Sequence, residues 1–300
     1  MGGQGDVRLR PLGPGGAFRQ QGVAHAAPLG YLPCMIGKAI GSGVSTARDF
    51  IARGLAAVGV TPNTLTLAGM VLTAGASVCY AIGATRGFAM SFDPHAPANA
   101  YLLLAGALLI LASACDMLDG AVARLASKST RFGAFLDSTL DRYSDFAVYA
   151  GIAVAYAWAS PANVTFVLLA MLAFFNAFMI SYTRARAEDL IESCRVGYWQ
   201  RGERSAAILI GTFSYNIPAM VLQQAALPLL TVLRRIAHTH AVINGRQPMT
   251  DPRRGGLWLK IRLWRWPRMT LPYDFVTGVN IAWLMFAEVP ASDVLRDLLA

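Results

Sequence analysis

Seven residues carry the chemistry of this sequence. Asp116, Asp119, Gly120 and Arg124 form one group, and Gly133, Asp137 and Asp141 follow within a few turns, with Ala123 and Phe135 between them. Asp116 and Asp119 are three apart and Asp137 and Asp141 four apart, so each pair lies on one face of a helix. An antiparallel turn between the two helices brings the pairs together. Four carboxylates at one locus repel each other, and at membrane depth each costs about 2.5–3.5 kcal/mol. Divalent cations remove both penalties. An oxygen-only ligand set without His or Cys suits a hard ion, so Mg2+ or Mn2+ is favoured over zinc. Two such ions can clamp a pyrophosphate and stabilise attacking and leaving oxygens. Gly120 lets a ligand approach the helix backbone, and Arg124 offers a guanidinium fork to phosphate. Asp141, last in the series, is the expected base for an acceptor hydroxyl.

The elements that must hold these residues are apolar. The 300-residue chain is 55% hydrophobic and 14% charged, where a soluble domain carries about a quarter charged residues. No Asp, Glu, Lys or Arg occurs in 62–85, 96–115, 147–183 or 205–233, and runs of about 18 apolar residues cross a bilayer as helices. The spans predicted are 64–84, 99–119, 135–157, 164–187 and then two from the stretch near Trp199 to Leu233, broken at Tyr215-Asn216-Ile217-Pro218. This is an all-α integral membrane protein with six transmembrane helices. A juxtamembrane amphipathic helix over 44–60, with Phe50, Ile51, Gly54, Leu55 and Val58 on one face, precedes them. Residues 1–43 read as a flexible Gly- and Pro-bearing tail and 61–240 as the six-helix domain. Residues 241–300 read as a cytoplasmic or interfacial extension, in which Trp258, Trp264 and Trp266 interleave with Lys260, Arg262 and Arg265. Phe275 to Phe286 is too short to span and reads as interfacial or packed.

The net charge of +9 flanks the apolar runs, which fits positive-inside topology and not nucleic-acid binding. It places both termini on the cytoplasmic side of the cell's inner membrane and leaves Arg86 as the exported member of the 26 basic residues. The cysteines (Cys34, Cys79, Cys115, Cys194) have no metal-like spacing, so neither a disulfide nor zinc is expected.

The spacing D-x2-D-G-x2-A-R-x8-G-x3-D-x3-D resembles the CDP-alcohol phosphotransferase (CDP-alcohol phosphatidyltransferase) family at every fixed position. Similarity runs from about Ala52 to His238, and the stretches 53–55, 61–63, 116–145 and 181–188 are most like bacterial phosphatidylinositol phosphate synthases. The resemblance implies a homodimer of six-helix protomers with a polar cavity open to the cytoplasm. It implies two metal ions on Asp116, Asp119, Asp137 and Asp141, the last also serving as base. It implies a CDP-lipid site made by Thr61, Pro62, Asn63, Thr64, Gly120, Arg124 and Thr130. It places the acceptor phosphate on Arg184, Arg204 and Arg235, with Ser181 in the matched stretch beside them. Arg184 stands where those enzymes tend to have Lys, and 189–200 matches poorly. The bland reading of the same arginines is topology alone.

The reaction expected is transfer of the phosphatidyl group of CDP-diacylglycerol to a phosphorylated alcohol, with CMP released. Inositol 1-phosphate is the first acceptor and glycerol 3-phosphate, as in a phosphatidylglycerophosphate synthase, the runner-up. From other classes, a cation transporter would use the intramembrane carboxylates for ions in transit, and a structural membrane protein would not depend on them.

Overall fold

In the computed structural model, the residues described are 35–85, 99–125, 130–246, 257–264, 266, 268 and 270–299. They fold into ten helices with no strand among them: α1 (Met35–Ala57), α2 (Pro62–Thr85), α3 (Ala100–Leu125), α4 (Arg131–Ala157), α5 (Val164–Glu188), α6 (Arg201–Phe213), α7 (Ile217–Ile243), α8 (Leu257–Leu263), α9 (Leu271–Phe286) and α10 (Val294–Leu299). Residues 1–34, the 86–98 segment bearing Arg86, Lys128 and Arg265 lie outside the described residues.

Local chemistry sets the boundaries. Thr61 Oγ1 accepts from Thr64 N at 3.3 Å, and Pro62 opens α2 where its missing N–H is no loss. Thr130 caps α4 by accepting from Gly133 N, Asn163 caps α5 and Asn216 caps α7. Between α6 and α7 the chain turns through Tyr215 at φ 56°, so the break falls at the expected 215–218.

Four of the six expected spans are helices long and apolar enough to cross a membrane: Pro62–Gly83, Ala100–Leu125, Val164–Glu188 and Ile217–Ile243. The other two are helices that fail in different ways. α4 is long enough, but it carries Arg131, Asp137, Asp141, Arg142 and Asp145 between its first residue and its middle turn. α6 has 13 residues, a rise of about 20 Å against a hydrocarbon core of about 30 Å. The amphipathic helix also differs from expectation: it begins at Met35, so the last residues assigned to the tail are helical. Its packed side is made of small residues. Ala52, Leu55 and Ala56 meet Leu118, Ala121 and Val122 of α3, while Phe50, Ile51 and Val58 point outward.

α2 packs along α3 and α4, α5 along α4 and α7, and α6 against α3. Where α2 crosses α4, a Cβ on Gly151 would sit 2.4 Å from Ser77 O, so only glycine permits that approach. Leu67, Val71, Leu104, Leu111, Leu168 and Phe175 face outward from these helices. Polar groups turn inward and pair: Tyr80 with Thr212 at 2.5 Å, and Asn176 Nδ2 donating to Ala225 O at 2.7 Å. Apolar outside with satisfied polar contacts inside is the arrangement lipid demands.

Candidate active site

α3 ends and α4 begins at the same end of the bundle, so the two run antiparallel to each other, and both pack on α2. That placement brings Asp116, Asp119 and Asp137 together, with a carboxylate oxygen from each within 4.8 Å of the others. Asp119 is buried and Asp116 exposed. Asp119 Oδ2 accepts from Thr66 Oγ1 of α2 at 2.8 Å. Asp137 Oδ1 is buried and has no hydrogen-bond partner among the described residues. An unpartnered buried carboxylate oxygen beside two more carboxylates is costly unless a cation occupies the space between them. The donor set therefore fits a hard divalent ion.

Asp141, one turn further along α4, is outside that three-carboxylate set. Arg201, the first residue of α6, joins it to the cluster: Nη1 is 2.8 Å from Asp116 Oδ1 and Nη2 is 2.5 Å from Asp141 Oδ1. Three residues on, Arg204 is buried, with Nη2 3.3 Å from Asp145 Oδ2 and Nη1 without a hydrogen-bond partner. Arg142 Nη1 donates to Ser181 Oγ at 2.5 Å. Asp116, Asp141, Asp145 and Arg201 line one end of a cavity of about 530 Å³ between α2, α3, α4 and α6, and Leu109, Val148 and Ile208 line the other. The cavity is thus charged at the carboxylate end and apolar toward the bundle centre.

The residues expected to take the cytidine nucleotide fall in two groups at this same end. In the first, Thr61 and Thr64 hydroxyls are 2.7 Å apart, and a Cβ on Gly133 would meet Thr130 Oγ1 at 3.0 Å and Asn63 Oδ1 at 3.4 Å. The start of α2 and the start of α4 therefore touch through the hydrogen of Gly133. In the second, Arg124 folds back over Gly120, with Nη1 3.3 Å from where a Cβ would stand.

The expected acceptor arginines are not equivalent. Arg201 is the arginine that lines the cavity among the described residues. Arg184 is on the exposed surface, paired with Glu188 at 3.0 Å. Arg235 is buried; its guanidinium donates to Val196 O at 3.3 Å, to Ile180 O and to Gln200 Oε1 at 3.0 Å. Those bonds staple α5, the 190–200 loop and α7 together. Arg201 was not among the expected site residues, although its i, i+3 spacing from Arg204 at a helix start was a signal. Thr66 had no signal at all, because its role appears only once α2 is known to pack on α3.

A model of the family described as CDP-alcohol phosphatidyltransferase matches residues 59–245. The archaetidylinositol phosphate synthase of Methanothermobacter thermautotrophicus is 35% identical over 188 residues, covering 60% of this chain and 84% of its own. The phosphatidylinositol phosphate synthase of Corynebacterium glutamicum is 31% identical over 196 residues, 63% of this chain and 80% of its own. Among solved structures, Mycobacterium tuberculosis phosphatidylinositol phosphate synthase with CDP-DAG bound is similar at a TM-score of 0.54 and 27% identity, covering 64% of this chain and 92% of that one. The same enzyme in complex with manganese and citrate gives 0.54 and 27%, with 69% and 96% covered.

Proposed function

From the premise that this chain belongs to the CDP-alcohol phosphatidyltransferase family, we propose that it makes a phosphatidylinositol phosphate from CDP-diacylglycerol and inositol 1-phosphate. It is a membrane enzyme of phospholipid biosynthesis that transfers a phosphatidyl group, which sets aside the cation-transporter and structural readings. The observation that carries the site is the meeting of Asp116, Asp119 and Asp137 within 4.8 Å, joined to Asp141 by Arg201.

Asp116, Asp119 and Asp137 would hold divalent ions, Mg2+ or Mn2+, and the reading takes two, with Asp141 completing the set. When bound, such ions neutralise the pyrophosphate and act as Lewis acids toward its oxygens. The chain's own groups do the rest. Gly120, Arg124, Asn63 and Thr130 orient the cytidine diphosphate head, and the apolar end of the cavity admits the start of the lipid. Asp141 takes the proton of the acceptor hydroxyl, whose oxygen attacks the lipid-side phosphorus as CMP departs. Arg201 and Arg204 present positive charge to the acceptor's phosphate, with Arg142 and Ser181 beside them. Arg235 supports that set by fixing the loop that leads into α6, and Arg184 adds charge at the rim.

Two features support inositol 1-phosphate over glycerol 3-phosphate: the names of the similar enzymes, and the 181–188 stretch. The reading has α2 to α7 embedded as six crossings, with the carboxylate end cytoplasmic because Arg184, Arg186, Arg195, Arg201 and Arg204 gather there. It also has a homodimer. Purified enzyme given CDP-diacylglycerol and each acceptor separates the candidates by CMP release. Preference for glycerol 3-phosphate would move the assignment to the runner-up, and turnover only with free inositol or serine would refute a phosphorylated acceptor.

A further inference from the structure

The C-terminal extension lies beyond the family match, which ends at 245. We propose that α9 crosses the membrane beside α6 and α7 as a seventh span, its outer face against acyl chains, and carries the C-terminus to the surface opposite the carboxylates.

A ladder of contacts runs the whole way. At the carboxylate end, Arg268 Nη2 is 3.0 Å from Glu203 Oε1 in the first turn of α6, and Tyr273 OH donates to the same oxygen at 3.0 Å. Midway, Asn280 Oδ1 accepts from Gln223 Nε2 of α7 at 2.9 Å. One turn on, Trp283 Nε1 donates to Ala219 O at 3.1 Å. At the far end, Leu284 O accepts from Ser214 Oγ at 3.0 Å and Ala287 O from Asn216 Nδ2 at 2.9 Å. α9 is therefore parallel to α6 and antiparallel to α7. The chain then reaches the start of α5, where Ala291 O accepts from Asn163 Nδ2 at 2.7 Å and the Asp293 carboxylate accepts from Val164 N and Thr165 N. The other end of α5 carries Ser181, bonded to Arg142, so Arg268 and Asp293 lie at opposite ends of the bundle.

The outer face of α9 suits lipid. Leu271, Phe275, Val279 and Phe286 are exposed at helical spacing, and no charged residue occurs from Phe275 to Ala287. Sixteen residues rise about 24 Å. That is longer than the roughly 20 Å of α6, beside which it runs, and the non-helical 287–293 segment that follows is held on protein by Asn216, Asn163 and the first amides of α5, as irregular backbone at a bundle end must be. This replaces the expectation of a packed or interfacial segment followed by a cytoplasmic C-terminus.

Sidedness tests it without reference to turnover, so its failure and that of the proposed reaction are separable. The full chain is expressed in a bacterial inner membrane as Arg296→Cys or Arg186→Cys, both at exposed positions, with the unsubstituted chain as blank. Intact spheroplasts are treated with a membrane-impermeant maleimide before and after lysis. The expected result is labelling of Arg296→Cys before lysis and of Arg186→Cys only after it. Labelling of both from the same side overturns the proposal. Reporters fused after Ala300 decide the case of an unreactive thiol: active alkaline phosphatase supports the crossing, and fluorescent green fluorescent protein overturns it.

Discussion

Thr66→Val removes one atom's worth of chemistry from the carboxylate cluster and nearly nothing else. Thr66 Oγ1 lies 2.8 Å from Asp119 Oδ2 and 3.1 Å from Pro62 O. A hydroxyl has a single proton, and the nearer, charged acceptor takes it. Valine keeps the shape and loses the donor. A hydrogen bond to a charged group contributes about 1.5–3 kcal/mol; at about 1.4 kcal/mol per decade that is roughly 10–150-fold. Because Asp119 is buried, water does not readily replace the hydroxyl. The bond holds the carboxylate in the orientation a cation needs, so the loss should fall on metal affinity, within the roughly 10–100-fold typical of residues that orient ligands. The assay is a Mn2+ titration of CMP release, paired with electron paramagnetic resonance of Mn2+ binding to the purified enzyme. The half-saturating concentration should rise by about 10–100-fold, with kcat at saturating metal unchanged. A titration superimposable on that of the unsubstituted enzyme, or a fall in kcat with metal binding intact, would refute the role given to Thr66.

Asp137→Asn should abolish most turnover: losing several kcal/mol of charge stabilisation is on the order of 10³-fold. Chelation of the unsubstituted enzyme should do the same and be reversed by added Mn2+, as CMP release will show. Gly151→Ala should lower the melting temperature in detergent. A Cβ 2.4 Å from Ser77 O costs about 1–3 kcal/mol of overpacking, more than the roughly 1 kcal/mol that alanine adds to a helix. Gly54→Ala, with nothing within 4 Å, should not lower it. Asp293 is held below the usual carboxylate range by the Thr165 hydroxyl and then by the amides it accepts from. A depressed carboxylate stabilises above its unfolded value, about 3.9, and that stabilisation is lost as pH falls toward the folded one. The protection of the 294–299 amides, with the intrinsic exchange rate at each pH divided out, should therefore fall below about pH 4 and stay constant above it.

The carboxylates were legible because their chemistry depends on spacing along a helix, which sequence displays directly. Asp116, Asp119 and Asp137 needed only an antiparallel turn to meet, whereas Asp141 reaches them through Arg201. Runs without charge showed α2, α3, α5 and α7 for the same reason. What stayed hidden depends on which helix packs on which. Arg235 looked like a phosphate ligand until its donors were found on the carbonyls of Val196 and Ile180. Arg201 had no assigned role until α6 was placed against α3 and α4. α9 looked too short because length was judged for a helix alone, and its contacts with α6 and α7 are made by residues far apart in the sequence.

The first turn of α6 faces two ways. Arg201 and Arg204 reach toward Asp116, Asp141 and Asp145, and Glu203 between them is held from the other side by Arg268 and Tyr273. All three side chains leave one helical turn, so a movement of that turn's backbone carries Glu203 and both guanidinium groups together. With α9 in lipid as proposed, a bilayer thickness that tilts it would pull on Glu203, and the host membrane would become a quantity to which the arginines facing the carboxylates respond.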